Sequence, residues 1–84
     1  MLQRWGDPIR VAAIFGSSST MKPVWFIWDG RHYQINKITY QWNTREGVAT
    51  LRHFSVTDRA GNYYELCFHP SSVTWYLATC EASG

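Results

Sequence analysis

The chain has 84 residues, with eight Lys and Arg against six Asp and Glu. That length supports one small domain, residues 1–84, which must pack densely to be stable. Five Trp, five Tyr and four Phe supply the density, at roughly 150–250 Å² of buried surface per ring. The near-balanced charge and scattered basic residues exclude a polybasic tail. No apolar run approaches the ~20 residues that span a bilayer.

Met1 to Pro8 reads as a poorly ordered lead-in, and Arg10 to Phe15 as a first strand. Gly16 to Thr20 is a small polar loop. Pro23 suits the start of a strand, where a missing N–H costs no ladder bond. Val24 to Trp28 and Arg31 to Ile35 then flank Asp29-Gly30. That dipeptide between two β-rich runs predicts a hairpin closed by a type I′ turn, because both turn positions need positive φ. Pairing about it sets Trp28 opposite Arg31, Phe26 opposite Tyr33 and Val24 opposite Ile35 on one face. Trp25, Ile27, His32 and Gln34 share the other face.

After Ile35 the apolar parity slips to Ile38, Tyr40 and Trp42, which predicts a β-bulge at Asn36-Lys37 and a strand that turns a corner. Asn43 to Gly47 is the next turn, followed by a strand from Val48 to Thr57. Asp58 to Asn62 reads as a type I turn with a G1 bulge and Gly61 in the left-handed region. That loop pairs Val56 with Tyr64 and Phe54 with Leu66. Tyr63 to His69, the Pro70-Ser71-Ser72 turn and Val73 to Cys80 complete the chain. No stretch shows helical periodicity. The expectation is an all-β domain of five or six antiparallel strands in a meander, curled into a strongly coiled sheet or small barrel. Its expected core holds Phe26, Tyr33, Ile38, Tyr40, Phe54, Leu66 and Phe68. An open meander that hides one face in a dimer is the alternative.

Chemistry-bearing residues are sparse. His53 and Cys67 fall opposite each other, with His69 two residues beyond Cys67. His/Cys/His is a set that zinc accepts, and Cys80 or Glu65 would have to supply a fourth ligand. A Cys67–His53 nucleophile pair would sit on a rigid hairpin without an oxyanion hole. The acids sit mostly in turns, where Asp serves turn geometry. The expectation is therefore a chain that is not an enzyme, has no cofactor and holds no metal. Without a Cys-x-x-Cys or a secretory segment, the two cysteines read as reduced thiols of a cytoplasmic protein.

Binding is the better-supported class. Trp25, Ile27 and His32 on the outer face, with Arg31, Lys37, Arg45 and Arg52 on or near the same three strands, resemble the surfaces through which small β-barrels hold single-stranded nucleic acid. The same surface also reads as packing under the N-terminal strand, with Trp5, Ile9 and Val11 over it, or as a docking face for a protein partner or a second copy.

Pro23, Phe26, Trp28-Asp29-Gly30-Arg31, Tyr33, Ile35, Ile38, Trp42, Gly47, His53-Phe54, Val56, Tyr64-Glu65-Leu66, Trp75 and Leu77 together resemble a family of short uncharacterised bacterial proteins. The pattern is also similar to a small domain of unknown function sometimes appended to Y-family translesion DNA polymerases. The resemblance runs from about Val11 to Leu77 and rests on turns, core aromatics and strand alternation. It implies a bacterial all-β module near nucleic acid, and no catalytic residue comes with it.

Overall fold

A computed structural model describes residues 6–81. Seven strands form one antiparallel sheet: β1 (Asp7–Phe15), β2 (Met21–Trp28), β3 (Arg31–Gln34), β4 (Lys37–Glu46), β5 (Ala49–Thr57), β6 (Tyr63–His69) and β7 (Thr74–Glu81). A three-residue 3₁₀ turn at Ser17–Ser19 is the one helical element among the described residues. The first strand starts at Asp7, so Asp7 and Pro8 belong to the sheet and not to a disordered lead-in. Residues 1–5, the rest of that expected lead-in and the site of Trp5, lie outside the described residues.

The strand order is β3-β2-β1-β7-β6-β5-β4. Two meanders, β1-β2-β3 and β4-β5-β6-β7, are joined where β1 pairs with β7. The strands at the two edges, β3 and β4, are nonetheless separated in sequence by only Ile35 and Asn36. The Ile35 N–H donates to Val24 O at 3.0 Å and the Asn36 N–H donates to Thr57 O at 2.8 Å. Consecutive residues therefore bond first to β2 and then to β5. The ladder is not closed, but the sheet is curled far enough for its two edges to meet at this corner. The parity slip read at Asn36-Lys37 marks this corner, which divides the expected long strand into β3 and β4.

Turn chemistry fixes the hairpins. Asp29 and Gly30 have φ of 52° and 76°, the two positive values that a type I′ turn requires, and Phe26 pairs with Tyr33. The next turn is shorter than expected. Glu46 pairs with Ala49 around Gly47-Val48, with Gly47 at φ 62°, so Asn43 to Glu46 stay in the strand. At the third hairpin the Gly61 N–H donates to Asp58 O, Gly61 has φ 87°, and Val56 pairs with Tyr64 as the sequence implies.

The Asp58 carboxylate organises that loop. It accepts the N–H groups of Ala60 and Asn62 at 3.0 and 2.9 Å, the Asn62 amide at 3.0 Å and the Tyr64 hydroxyl at 2.8 Å. Burial alone would raise its pKa. The bonds from Asn62, Tyr64 and Ala60 outweigh that, and the carboxyl lies below its usual range.

The core gathers the inward faces: Ile9, Met21, Phe26, Phe54, Val56, Tyr64, Leu66, Phe68, Trp75 and Leu77, with Tyr33 and Ile38 packed against it. Tyr40 is not part of it and is 66% exposed. A further bulge at Thr39, between the Ile38↔Val56 and Tyr40↔Ser55 pairs, turns Tyr40 and Trp42 to the outer face. Two more bulges, beside Ala12/Ala13 in the β1–β2 ladder and beside Glu65/Leu66 in the β6–β7 ladder, add to the coiling.

Candidate functional site

Only part of the surface read from the sequence comes together. The Trp25 and His32 rings meet on the outer face with centroids 4.7 Å apart. Trp25 is half-buried and His32 exposed. The first strand does not cover this face: β1 lies edge-to-edge with β2, pairing Ala12 with Trp25. Arg31 pairs with Trp28, so its side chain leaves the sheet on the side opposite Trp25 and His32. Lys37 belongs to a separate cleft beyond the corner.

That cleft measures about 610 Å³ and opens between the start of β2 and the β4–β5 hairpin. Lys22, Lys37 and Arg52 bring three cations to it, Asn36, Gln41 and Thr20 add polar groups, and Met21 and Ile38 line its apolar part. No acidic residue is among the described residues lining it. It exists because β2 pairs with β3 only from Trp25 onward. Past the corner the partner strand has left to pair with β5, and the first residues of β2 face open space.

Beside the cleft, on the outer face of β4–β5, three rings stand in a row. Tyr40 and Trp42 have centroids 5.4 Å apart. Trp42 lies on His53 at 5.1 Å with planes only 7° apart. The Thr44 hydroxyl bonds His53 Nε2 at 2.7 Å and fixes the imidazole, while His53 Nδ1 is buried with no hydrogen-bond partner among the described residues. Burial lowers the His53 pKa, nearby His69 lowers it further, and Glu65 opposes both. The lowered pKa favours the uncharged imidazole, which stacks on Trp42 as an aromatic ring.

His53 and Cys67 do face each other across the ladder. Cys67 is buried, and burial followed by the charge of Glu65 pushes its thiol up to about 11. A thiol that holds its proton is neither a ready nucleophile nor a ready metal ligand. His69 packs edge-on against Tyr76 at 4.8 Å, and burial lowers its pKa too. Among the described residues no three His, Cys, Asp or Glu side chains converge as a metal site. Both cysteines are free, Cys67 buried and Cys80 exposed. They pair across the sheet with Tyr76 and Tyr64, not with each other.

Tyr40 and Trp42 as outward rings, and Lys22 and Gln41, were not picked out by sequence reasoning. The second bulge hid the outward turn of Tyr40 and Trp42. Lys22 and Arg52 are thirty positions apart in sequence and meet across a gap that no ladder spans, so no pattern of alternation joins them. Comparisons with protein-family models, curated proteins and solved structures give no match for this chain.

Proposed function

We propose that this chain is a non-catalytic binding module whose ligand is single-stranded nucleic acid, held with little sequence preference. The observation that carries the reading is the row Tyr40–Trp42–His53 on one side of the β4 edge with the Lys22/Lys37/Arg52 cleft on the other. Bases stack on rings without regard to sequence, and phosphates need cations a short reach away. A strand running along β4 meets both. The reading goes with a bacterial, cytoplasmic setting in which both thiols stay reduced and the chain works beside larger nucleic-acid proteins, as the resemblance to polymerase-appended domains implies.

Titration of a fluorescent oligo-dT against the chain at several salt concentrations tests it. Affinity falls steeply with salt if phosphates are bound. Trp42→Ala loses roughly 1–3 kcal/mol of binding, and Lys37→Ala weakens all sequences alike and lowers the salt slope by about one unit. Saturation that is indifferent to salt, or binding unchanged by either substitution, overturns the reading. Trp25→Ala is the control surface: its ring packs against His32 on the β2–β3 face, and binding lost there as much as at Trp42 would move the ligand to the surface first read from the sequence.

A further inference from the structure

The ring row and the cationic cleft come together at one end of β4. Tyr40 and Gln41 are neighbours in the chain and point to opposite sides of the strand. Gln41 pairs with the core residue Phe54, whereas Tyr40 pairs with Ser55 on the outer face. Gln41 lines the cleft, and Tyr40 begins the row. From Tyr40 the row leads away from the cleft to Trp42 and then across to His53, and no β4 residue past Gln41 lines the cleft. β4 is the last strand of the sheet, so only its edge separates the first ring from the cations.

The rings are not equally open. Trp42 and His53 lie nearly parallel, each turned towards the other, and both are half-buried. Tyr40 is 66% exposed and is the ring of the row with most surface to offer a base. Beyond it the path closes. The chain crosses there from β3 to β4, pinned by the Ile35 N–H on Val24 O and the Asn36 N–H on Thr57 O, and Asn36 itself lines the cleft. A strand that follows the row towards Tyr40 therefore runs into the protein's own backbone just past the last ring.

The charge gathered at that end exceeds what one backbone phosphate needs. Lys22, Lys37 and Arg52 line the cleft, and no acidic residue does so among the described residues. A phosphodiester carries a single negative charge. A terminal phosphate carries about −1.5 to −2 at neutral pH and offers three acceptor oxygens. Thr20, Asn36 and Gln41 add neutral side-chain donors in the same cleft. We propose that the cleft takes the terminal phosphate of a single strand, with the last base on Tyr40 and the phosphate carried over the β4 edge. The proposal rests on the single-strand reading above and adds that the site holds an end and not an internal stretch.

Competition against an internally labelled oligo-dT tests this with unlabelled strands of one length: unphosphorylated, 5′-phosphorylated and 3′-phosphorylated. One of the two phosphorylated strands displaces the probe at about tenfold lower concentration than the plain strand, the gain of one added charge-assisted contact. The end that gains gives the direction of the strand on β4. In Lys22→Ala the ratio between that strand and the plain one falls towards one. Lys22 is exposed, and an unchanged circular dichroism spectrum shows that the variant folds. Equal displacement by all three strands overturns the proposal and leaves the single-strand reading standing. An equal gain at both ends that survives Lys22→Ala is general attraction and overturns it as well. Thymidine monophosphate that competes as tightly as the phosphorylated strand overturns it in favour of a free nucleotide. A probe that does not bind at all overturns both readings.

Discussion

Asp58→Ala is the perturbation that bears most directly on the fold. The carboxylate bonds two backbone N–H groups, one side-chain amide and the Tyr64 hydroxyl. The loop N–H groups reach water when it is removed and cost little. The phenol does not, because Tyr64 is only 3% exposed, and an unsatisfied buried hydroxyl costs about 1–3 kcal/mol. The expected loss is therefore about 2–3 kcal/mol, with the solvent-screened charge adding little. In a domain of this size each kcal/mol lowers Tm by roughly 4–8 °C. Urea unfolding of Asp58→Ala, Tyr64→Phe and the double variant measures the pair directly, with an expected coupling of about 1–2 kcal/mol. The pH dependence has a definite sign. The folded-state pKa of Asp58 is lowered, so its contribution is present above the unfolded-state value and is lost as pH falls through the folded-state one. The gap between wild type and Asp58→Ala narrows on acidification over that carboxylate window. A loss below about 0.5 kcal/mol, the level of an ordinary surface change, or a cost unaffected by Tyr64→Phe, would refute the argument that this carboxylate holds the hairpin.

Gly61→Val in the same loop costs at least about 1 kcal/mol in a thermal melt, since a β-branched residue resists the φ of 87° found there. The cysteines should separate by reactivity: Cys80 reacts with a thiol reagent in the folded protein, whereas Cys67 reacts only as the chain unfolds, because it is buried and its thiol is pushed up to about 11.

Much of the architecture is legible in the sequence because the turns are chemically explicit. Asp29-Gly30 and Asp58 to Gly61 each admit few backbone conformations, and once they are placed, period-two alternation fixes the pairs Phe26/Tyr33, Val56/Tyr64 and Phe54/Leu66. Alternation fails where a bulge interrupts it without a glycine or proline to announce it. Thr39 is such a place: one uncounted residue sent Tyr40 from the expected core to the surface. Asn43 to Gly47 looked like a wide turn because its composition is polar, yet polar residues are ordinary on an overhanging hairpin, and Gly47-Val48 suffices to close it. At the candidate site the Trp25–His32 contact followed from register alone. The pairing of Arg31 with Trp28, on the face opposite Trp25 and His32, followed from register in the same way. The cleft could not be read at all, since it joins β2 to β5 across a gap and sequence patterns describe neighbours within a ladder.

One geometric cause underlies the two clefts that flank the β1–β2 hairpin. A curled sheet of so few strands cannot keep every strand paired along its whole length. Where the chain turns the corner at Ile35 and Asn36, β2 gives up its partner so that β5 can gain one. The start of β2 and the end of β1, joined as a hairpin around Ser17–Ser19, then stand clear of the sheet on both sides. On the β2 side the exposed gap is lined with Lys22, Lys37 and Arg52. On the β1 side it is lined with Val11, Phe15, Phe68, Val73 and Trp75. The two gaps arise from the same mismatch in strand length, yet their linings differ in chemistry, one cationic and polar and the other mainly apolar.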